Sequence, residues 1–292
     1  MYVVAGVTGN TGKVVAEMLS NHRKPVRVVV RDEAKAGAWR ERGAQVARAS
    51  LDDAGALAKA LAGASGAYFL VPPQYAAEDL LAAQRPVVDA IAAAVKASGL
   101  PHVVLLSSVG AQHPEGTGPI RTLHYAEQVI GKAARNLTIV RAAYFLENWA
   151  AMLGEARTKG LLPSFLTPGR ALPMVATRDI GRAAAEALLD PARGTRLVEL
   201  VGPADWTPED VARAIASLLG REVRVQGVPL DAVVPALTAS GFTAGTARLF
   251  REMIEGINRG HVAPEGGRAV PRFGTLGPAE VLGPLLARTT AP

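Results

Sequence analysis

The sequence predicts an α/β fold: a doubly wound parallel sheet carrying a smaller C-terminal α/β lobe. Three observations predict it. Short, uninterrupted apolar runs alternate with alanine-rich helical stretches through the first half of the chain. A glycine-rich turn stands between the first run and the first helix, and the alternation breaks after Asn148. Strands that are apolar throughout, each followed by a helix, belong to a parallel sheet covered on both faces. Repeated strand–helix–strand units build that sheet outward in both directions.

Taken in order, residues 2–7 are the first strand and 12–19 the first helix. The β-branched run 26–30 is the second strand, 34–42 a helix and 45–49 a short third strand. Residues 53–61 are helical, and 67–71 form a fourth strand stopped by Pro72 and Pro73, which lack the N–H a central strand needs. A helix at 86–97 ends near Gly99, and 103–106 is the fifth strand. Residues 123–133 are helical and 137–141 form the sixth strand. The segment 161–173, dense in proline and glycine, reads as loop; 179–189 is a helix and 197–201 a strand. Thr207 before Pro208, Glu209 and Asp210 is a helix start, with a hydroxyl cap, a proline where no N–H is needed and acids at the positive end of the dipole. That helix runs to Leu219. From Gly260 the pattern is weak. Residues 1–150, with 174–201 returning to the sheet, are therefore expected to form the main domain. Residues 151–173 and 202–292 are expected to form a smaller substrate lobe.

Composition narrows the function. The chain has 292 residues, 49% hydrophobic and 20% charged, which suits a globule with a substantial core. Cysteine is absent, which removes disulfides, thiolate nucleophiles and cysteine-bound metals. No apolar run has the ~18–20 residues of a membrane helix. The chain opens directly on its first strand, so a cytoplasmic location off the membrane is expected. The net charge of +6 is scattered over arginines such as Arg23, Arg40, Arg85, Arg157, Arg213 and Arg268, with no dense block, so no nucleic-acid partner is expected. His22, His102, His113, His124 and His261 show no paired ligand spacing, so no metal site is expected. Ser107 and Ser108 lack the glycines of a nucleophile elbow.

The strongest chemical signal is Gly6-Val7-Thr8-Gly9-Asn10-Thr11-Gly12. Glycines at this spacing allow a tight turn, close approach of backbone to a diphosphate, and close packing of helix on strand. The helix N-terminus adds unpaired N–H groups and partial positive charge. This is a Rossmann-type dinucleotide site. A triphosphate-binding loop would need glycine where Val7 stands and a hydroxyl residue where Val14 stands. Arg31 ends the second strand about 20 residues past the glycines, where an acid would take the ribose of NAD and an arginine accommodates the 2′-phosphate of NADP. Its planar donor fork matches phosphate oxygens. NADP(H) is therefore the expected cofactor, with Lys35 as a helper. The competing reading pairs Arg31 with Asp32 or another surface acid.

The glycine turn, Val30-Arg31-Asp32, Ile139-Val140-Arg141 with Phe145-Leu146-Glu147-Asn148, Ala176-Thr177-Arg178-Asp179-Ile180 and Gly202-Pro203 together resemble the NmrA-like group of atypical short-chain dehydrogenases. The pattern is similar to that of the NADPH-dependent quinone oxidoreductases of that group. The resemblance implies a substrate cleft between the main domain and the lobe. It also implies cofactor contacts at the glycine turn, Arg31, Leu70-Val71-Pro72, Ser107-Ser108 and Ala143-Tyr144. Two positions depart: Ser50 replaces an aspartate often found after the third strand, and Ala142 a proline after Arg141.

Typical short-chain dehydrogenases use a serine, a tyrosine and a lysine four residues later, which lowers the phenol pKa for proton transfer. Ser108 and Tyr125 have suitable spacing, but Val129 stands in the lysine position and Lys132, seven residues on from Tyr125, lies two helical turns away. Ordinary ketone reduction thus loses its acid. A quinone accepts hydride to give a delocalised, weakly basic anion, so orientation over the cofactor does most of the catalysis. The expected function is hydride transfer from NADPH to a quinone or similar conjugated electrophile, azo compounds included. The alternative is a non-enzymatic NADP(H) sensor of the NmrA type. Ser108, His124 and Tyr125 are the catalytic candidates. His124 stands three residues before Glu127, one short of the quinone-reductase spacing, and a solvent-facing helical role competes. Glu127 is expected to pair with a basic neighbour. Tyr144 and Phe145 either wall the nicotinamide pocket or fill the interdomain core. The partners expected are a small-molecule acceptor and, as a possibility, a second copy in a homodimer.

Overall fold

The computed structural model describes residues 1–288. The strands are β1 (Tyr2–Ala5), β2 (Val26–Val30), β3 (Gln45–Arg48), β4 (Gly66–Phe69), β5 (Val103–Ser108), β6 (Leu137–Ala142), β7 (Tyr144–Phe145), β8 (Leu161–Ser164), β9 (Leu172–Val175), β10 (Thr195–Val201), β11 (Asp205–Trp206), β12 (Arg224–Gly227) and β13 (Val270–Phe273). The helices are α1 (Asn10–Asn21), α2 (Gly37–Glu41), α3 (Ala54–Leu61), α4 (Leu80–Ser98), α5 (Arg121–Ala133), α6 (Leu153–Lys159), α7 (Thr177–Leu189), α8 (Pro208–Leu219), α9 (Val233–Ala239), α10 (Ala244–Arg259) and α11 (Pro278–Arg288).

Eight parallel strands form the main sheet in the order β13-β10-β6-β5-β4-β1-β2-β3. Alternate side chains feed two cores. Val3, Ala5, Phe69, Leu105 and Ile139 pack against α3, α4 and α5. Val4, Val28, Tyr68, Val140 and Leu200 pack against α1, α2 and α7. The order reverses between β1 and β4, so the crevice past their carboxyl ends is where a ligand of such a sheet binds. A third core, built on Leu146, Trp149, Leu153, Val211, Ile215, Ile257 and Leu282, holds the smaller lobe. Helix α7 returns to lie along α1. A Cβ on Gly181 would stand 2.5 Å from Val14 Cβ and 2.8 Å from the Thr11 carbonyl, so only glycine permits that approach. No helix among the described residues is long and apolar enough to cross a membrane.

The predicted strand–helix alternation is present through β6, and Thr207 and Asp210 form a reciprocal capping box on α8. Three expectations are corrected. The helix expected at 86–97 begins at Leu80, where the Asp79 carboxylate accepts from the Ala82 N–H at 3.0 Å. Pro86 lies inside it on the exposed face, where water can satisfy the carbonyl it frees. The segment 161–173 is not all loop: β8 pairs with β12, and β9 with β7 and β11. Proline misled there, because β8 is an edge strand and Pro173 pairs with β11 alone, one residue before the pairing of β9 with β7 begins. Finally, residues 270–273 join the main sheet as β13 instead of the lobe. All four are exposed, so no apolar pattern marks them; backbone pairing to β10 places them.

Candidate active site

The chain turns out of β1 at Gly6, whose φ of +70° favours glycine, and a Cβ there would meet Leu70 Cδ2 at 2.7 Å. Gly12 has a different reason: its Cβ would fall 2.5 Å from the Gly6 carbonyl oxygen and 2.6 Å from that of Ala5. Gly9 is extended and open, with a built Cβ meeting only the Gly6 oxygen at 3.4 Å. Helix α1 therefore points its N-terminus over the tip of β1 with no side chain capping it and no acid in its first turn. Thr8, Gly9 and Asn10 are exposed there. First-turn amides without partners at the positive end of a dipole make an anion cradle. Thr11 is buried, and its hydroxyl accepts from the Tyr68 phenol at 2.9 Å, so the cradle has its amide and not its side chain. Burial holds the Tyr68 phenol far above its ordinary pKa.

Arg31 is exposed at the tip of β2 and makes no ion pair among the described residues. Its neighbours are engaged: the Asp32 carboxylate accepts from the Ala34 N–H at 3.0 Å, and Glu33 pairs with Arg40 at 2.6 Å. The reading in which Arg31 pairs with Asp32 is thus not realised. Lys35 is exposed in the short turn that follows. An open amide cradle, a glycine without steric cover and an unpaired guanidinium one strand away fit a dinucleotide bearing a third phosphate.

Leu70, Val71 and Pro72 leave β4 half-buried beside Gly6. The Pro72 carbonyl accepts from Gln84 Nε2 at 3.0 Å, and Gln84 Oε1 accepts from the Thr122 hydroxyl at 2.8 Å. Gln84 thus ties the β4 exit to α5, a role no motif announced.

The tips of β5 and β6 differ from expectation. Ser107 is buried and donates to Glu127 at 2.6 Å, so its hydroxyl is turned into the sheet–α5 layer. Glu127 also takes Nε and Nη2 of Arg141 at 2.9 and 2.7 Å, as its expected pairing with a basic neighbour requires. The other guanidinium arm reaches Glu265 at 2.6 Å. Arg141 is 2% exposed and is therefore a structural clamp. Glu199, also buried, accepts the Glu265 and Gly266 amides and fixes the same loop. Neither Glu199 nor Glu265 stands out in the sequence, since both partners lie far away along the chain.

Two catalytic candidates face elsewhere. The Tyr125 phenol donates to Asp89 at 2.6 Å in the α4–α5 seam, with the Arg85 guanidinium 4.3 Å from its ring centre. The Asp89 carboxylate raises its pKa above the ordinary tyrosine value. Val129 packs against the core and Lys132 is exposed, so no lysine assists. His124 is half-buried, with Nδ1 2.8 Å from the Ala111 carbonyl and Nε2 2.8 Å from the exposed Gln128 amide, so both ring nitrogens have partners. Ser108 is half-buried and donates to the Val109 carbonyl at 2.9 Å. Ala143 is buried, its N–H on the Leu200 carbonyl at 2.9 Å. Tyr144 packs on the lobe core, edge-on to Trp149 at 6.3 Å between ring centres, while Phe145 packs on the main core. Burial pushes the Tyr144 phenol up to about 12, against a hydrogen bond with Asn148. Glu147 accepts the Thr177 N–H and hydroxyl, capping α7, whose own cap residue Ala176 has no polar side chain.

The carboxyl end of the sheet thus gathers Gly6–Gly12, Arg31, Leu70, Ser108 and Tyr144, while the hydroxyls of Ser107 and Tyr125 are tied to Glu127 and Asp89. The chain is 27% identical over 253 residues to an NAD(P)H azoreductase of Xenophilus azovorans, covering 87% of this chain and 86% of that one. It is 24% identical over 265 residues to quinone oxidoreductase 2 of Escherichia coli, covering 89% of each. A crystal structure of an NADPH-dependent quinone oxidoreductase from Escherichia coli complexed with NADPH has the same fold, with a TM-score of 0.78 at 21% identity over 98% of this chain and 95% of that one. Residues 2–261 match the NmrA-like family, and since that span takes in the glycine turn, Arg31 and the Arg141–Asn148 segment alike, the chain belongs to that family.

Proposed function

We propose that the protein is an NADPH-dependent reductase that passes hydride to a quinone, azo compound or similar conjugated electrophile. The observation that carries this reading is the uncapped N-terminus of α1 behind Gly6, Gly9 and Gly12, with the unpaired Arg31 beside it. NADPH, when bound, supplies the hydride. The α1 amides would hold its diphosphate and Arg31 its additional phosphate, with Lys35 near by. Residues 1–150 and 174–201 would carry the cofactor, and 151–173 with 202–292 would supply most of the cover that keeps water from the acceptor. With Tyr125 held by Asp89 and Val129 in the core, no tyrosine–lysine pair serves an ordinary ketone. Conjugated acceptors suit such a site because they spread the incoming charge themselves, leaving the protein chiefly to orient them. The relatives' names, an azoreductase and a quinone oxidoreductase, support the same substrate class.

The test is calorimetry with NADPH and NADH, then turnover with naphthoquinone and an azo dye. Arg31→Ser is expected to weaken NADPH binding about tenfold or more while leaving NADH within about twofold, as loss of one charge-assisted phosphate contact requires. Equal loss for both cofactors would remove Arg31 from phosphate recognition. Tight NADPH binding with no oxidation by either acceptor would make the protein a nucleotide sensor instead of an enzyme.

A further inference from the structure

An acceptor that gains a hydride leaves negative charge on one oxygen or nitrogen, and some group must face that atom. The tyrosine picked out by spacing is committed to Asp89. A second phenol stands at the tip of β6. Tyr144 is the first side chain past that strand to leave the main sheet: Phe145 after it joins the main core, but the Tyr144 ring packs on the lobe core beside Trp149. The phenol therefore lies on the seam between the two parts, at the carboxyl edge of the sheet. Ala142 and Ala143, just before it, are buried in the main core. Ser108 is register partner to Ala142 across the β5–β6 pair.

The partners of these hydroxyls separate them from the other pair. Ser107 and Tyr125 each donate to a carboxylate, a strong and fixed bond. Among the described residues Tyr144 has only the neutral, exposed Asn148, and the Ser108 hydroxyl only the carbonyl of its neighbour. Such bonds are readily exchanged for a better acceptor, and a developing anion is one.

Resting on the reductase reading above, we propose that Tyr144 is the catalytic residue that faces the acceptor heteroatom and delivers its proton. As hydride reaches one nitrogen of an azo bond, the Tyr144 O–H bond breaks and a new N–H bond forms at the other nitrogen. The phenolate then takes a proton from solvent at the Asn148 rim. Burial keeps the phenol protonated through neutral pH, so it is ready as a donor. The nitrogen anion from an azo group is a far stronger base than this phenol and takes the proton outright. The anion from a quinone is a weaker base and receives mainly a hydrogen bond.

Tyr144→Phe keeps the ring against Trp149 and separates these roles. Azo-dye kcat is expected to fall about 100-fold, the scale of general acid catalysis. Naphthoquinone kcat should fall less than about tenfold, and the calorimetric NADPH Kd should stay within about twofold. Binding of 1-naphthol, a non-reducible hydroxyaromatic, should weaken about fivefold by calorimetry, as for one lost hydrogen bond. Equal loss for both acceptors with unchanged 1-naphthol binding would mark a packing role and overturn the assignment. So would unchanged kinetics in a variant of an active enzyme, which would leave the reductase reading standing. A wild-type protein that binds NADPH but reduces neither acceptor would overturn both.

Discussion

The tip of β1 and the tips of β5 and β6 lie along one edge of the same sheet, yet they are built on opposite principles. At β1 the backbone does the work. Three glycines hold a turn open, α1 is uncapped, and Arg31 makes no ion pair among the described residues. At β5 and β6 side chains satisfy one another: the buried Ser107 and Arg141 share Glu127, and Arg141 reaches out to Glu265 at the surface. Unsatisfied polar groups at a surface crevice mark where a ligand is received, and a completed network marks what holds that crevice in shape.

Removing one charge from the network should break that contrast most severely. Arg141→Ala leaves Glu127 without its bidentate partner in a buried site, and a loss of about 3–5 kcal/mol is expected in urea denaturation, with nucleotide preference unchanged in whatever remains folded. A change in NADPH-over-NADH preference would show that the two regions are not separate. Gly12→Ala acts on the other side. The added methyl meets the carbonyls of Gly6 and Ala5, so a loss of about 1–3 kcal/mol is expected, and NADPH affinity should fall with it because the cradle itself must move. Retained affinity would mean that the turn does not hold the diphosphate. The smallest effect belongs to Tyr125→Phe, which loses one exposed hydrogen bond to Asp89. Stability should drop by about 1 kcal/mol or less and kcat should stay within about twofold. A large fall in kcat would return Tyr125 to the chemistry.

The contrast also explains what could be read in advance. The glycine turn was legible because a backbone requirement writes itself as a residue type at fixed spacing. Arg31 was legible because its position follows from the strand it ends. The fates of Ser107, His124 and Tyr125 were not, because each is decided by a partner reached through folding: Glu127 on α5, Ala111 in a loop, Asp89 on α4. Spacing puts a side chain near a strand tip but does not say which way it turns. The start of α4 was hidden by Pro86, and β13 by its lack of any buried residue.

That last strand has a consequence for how the molecule meets copies of itself. The Gly274 N–H bonds inward to the Val201 carbonyl at 2.7 Å, and groups two residues apart along a strand point the same way, so Pro271 and Phe273 present their backbone outward. A foreign chain trying to zip onto this flank finds no hydrogen to grip at the pyrrolidine ring. Growth of the sheet into a polymer is interrupted at its first rung, and the bare aromatic of Phe273 is left without a template that could carry it into a fibril.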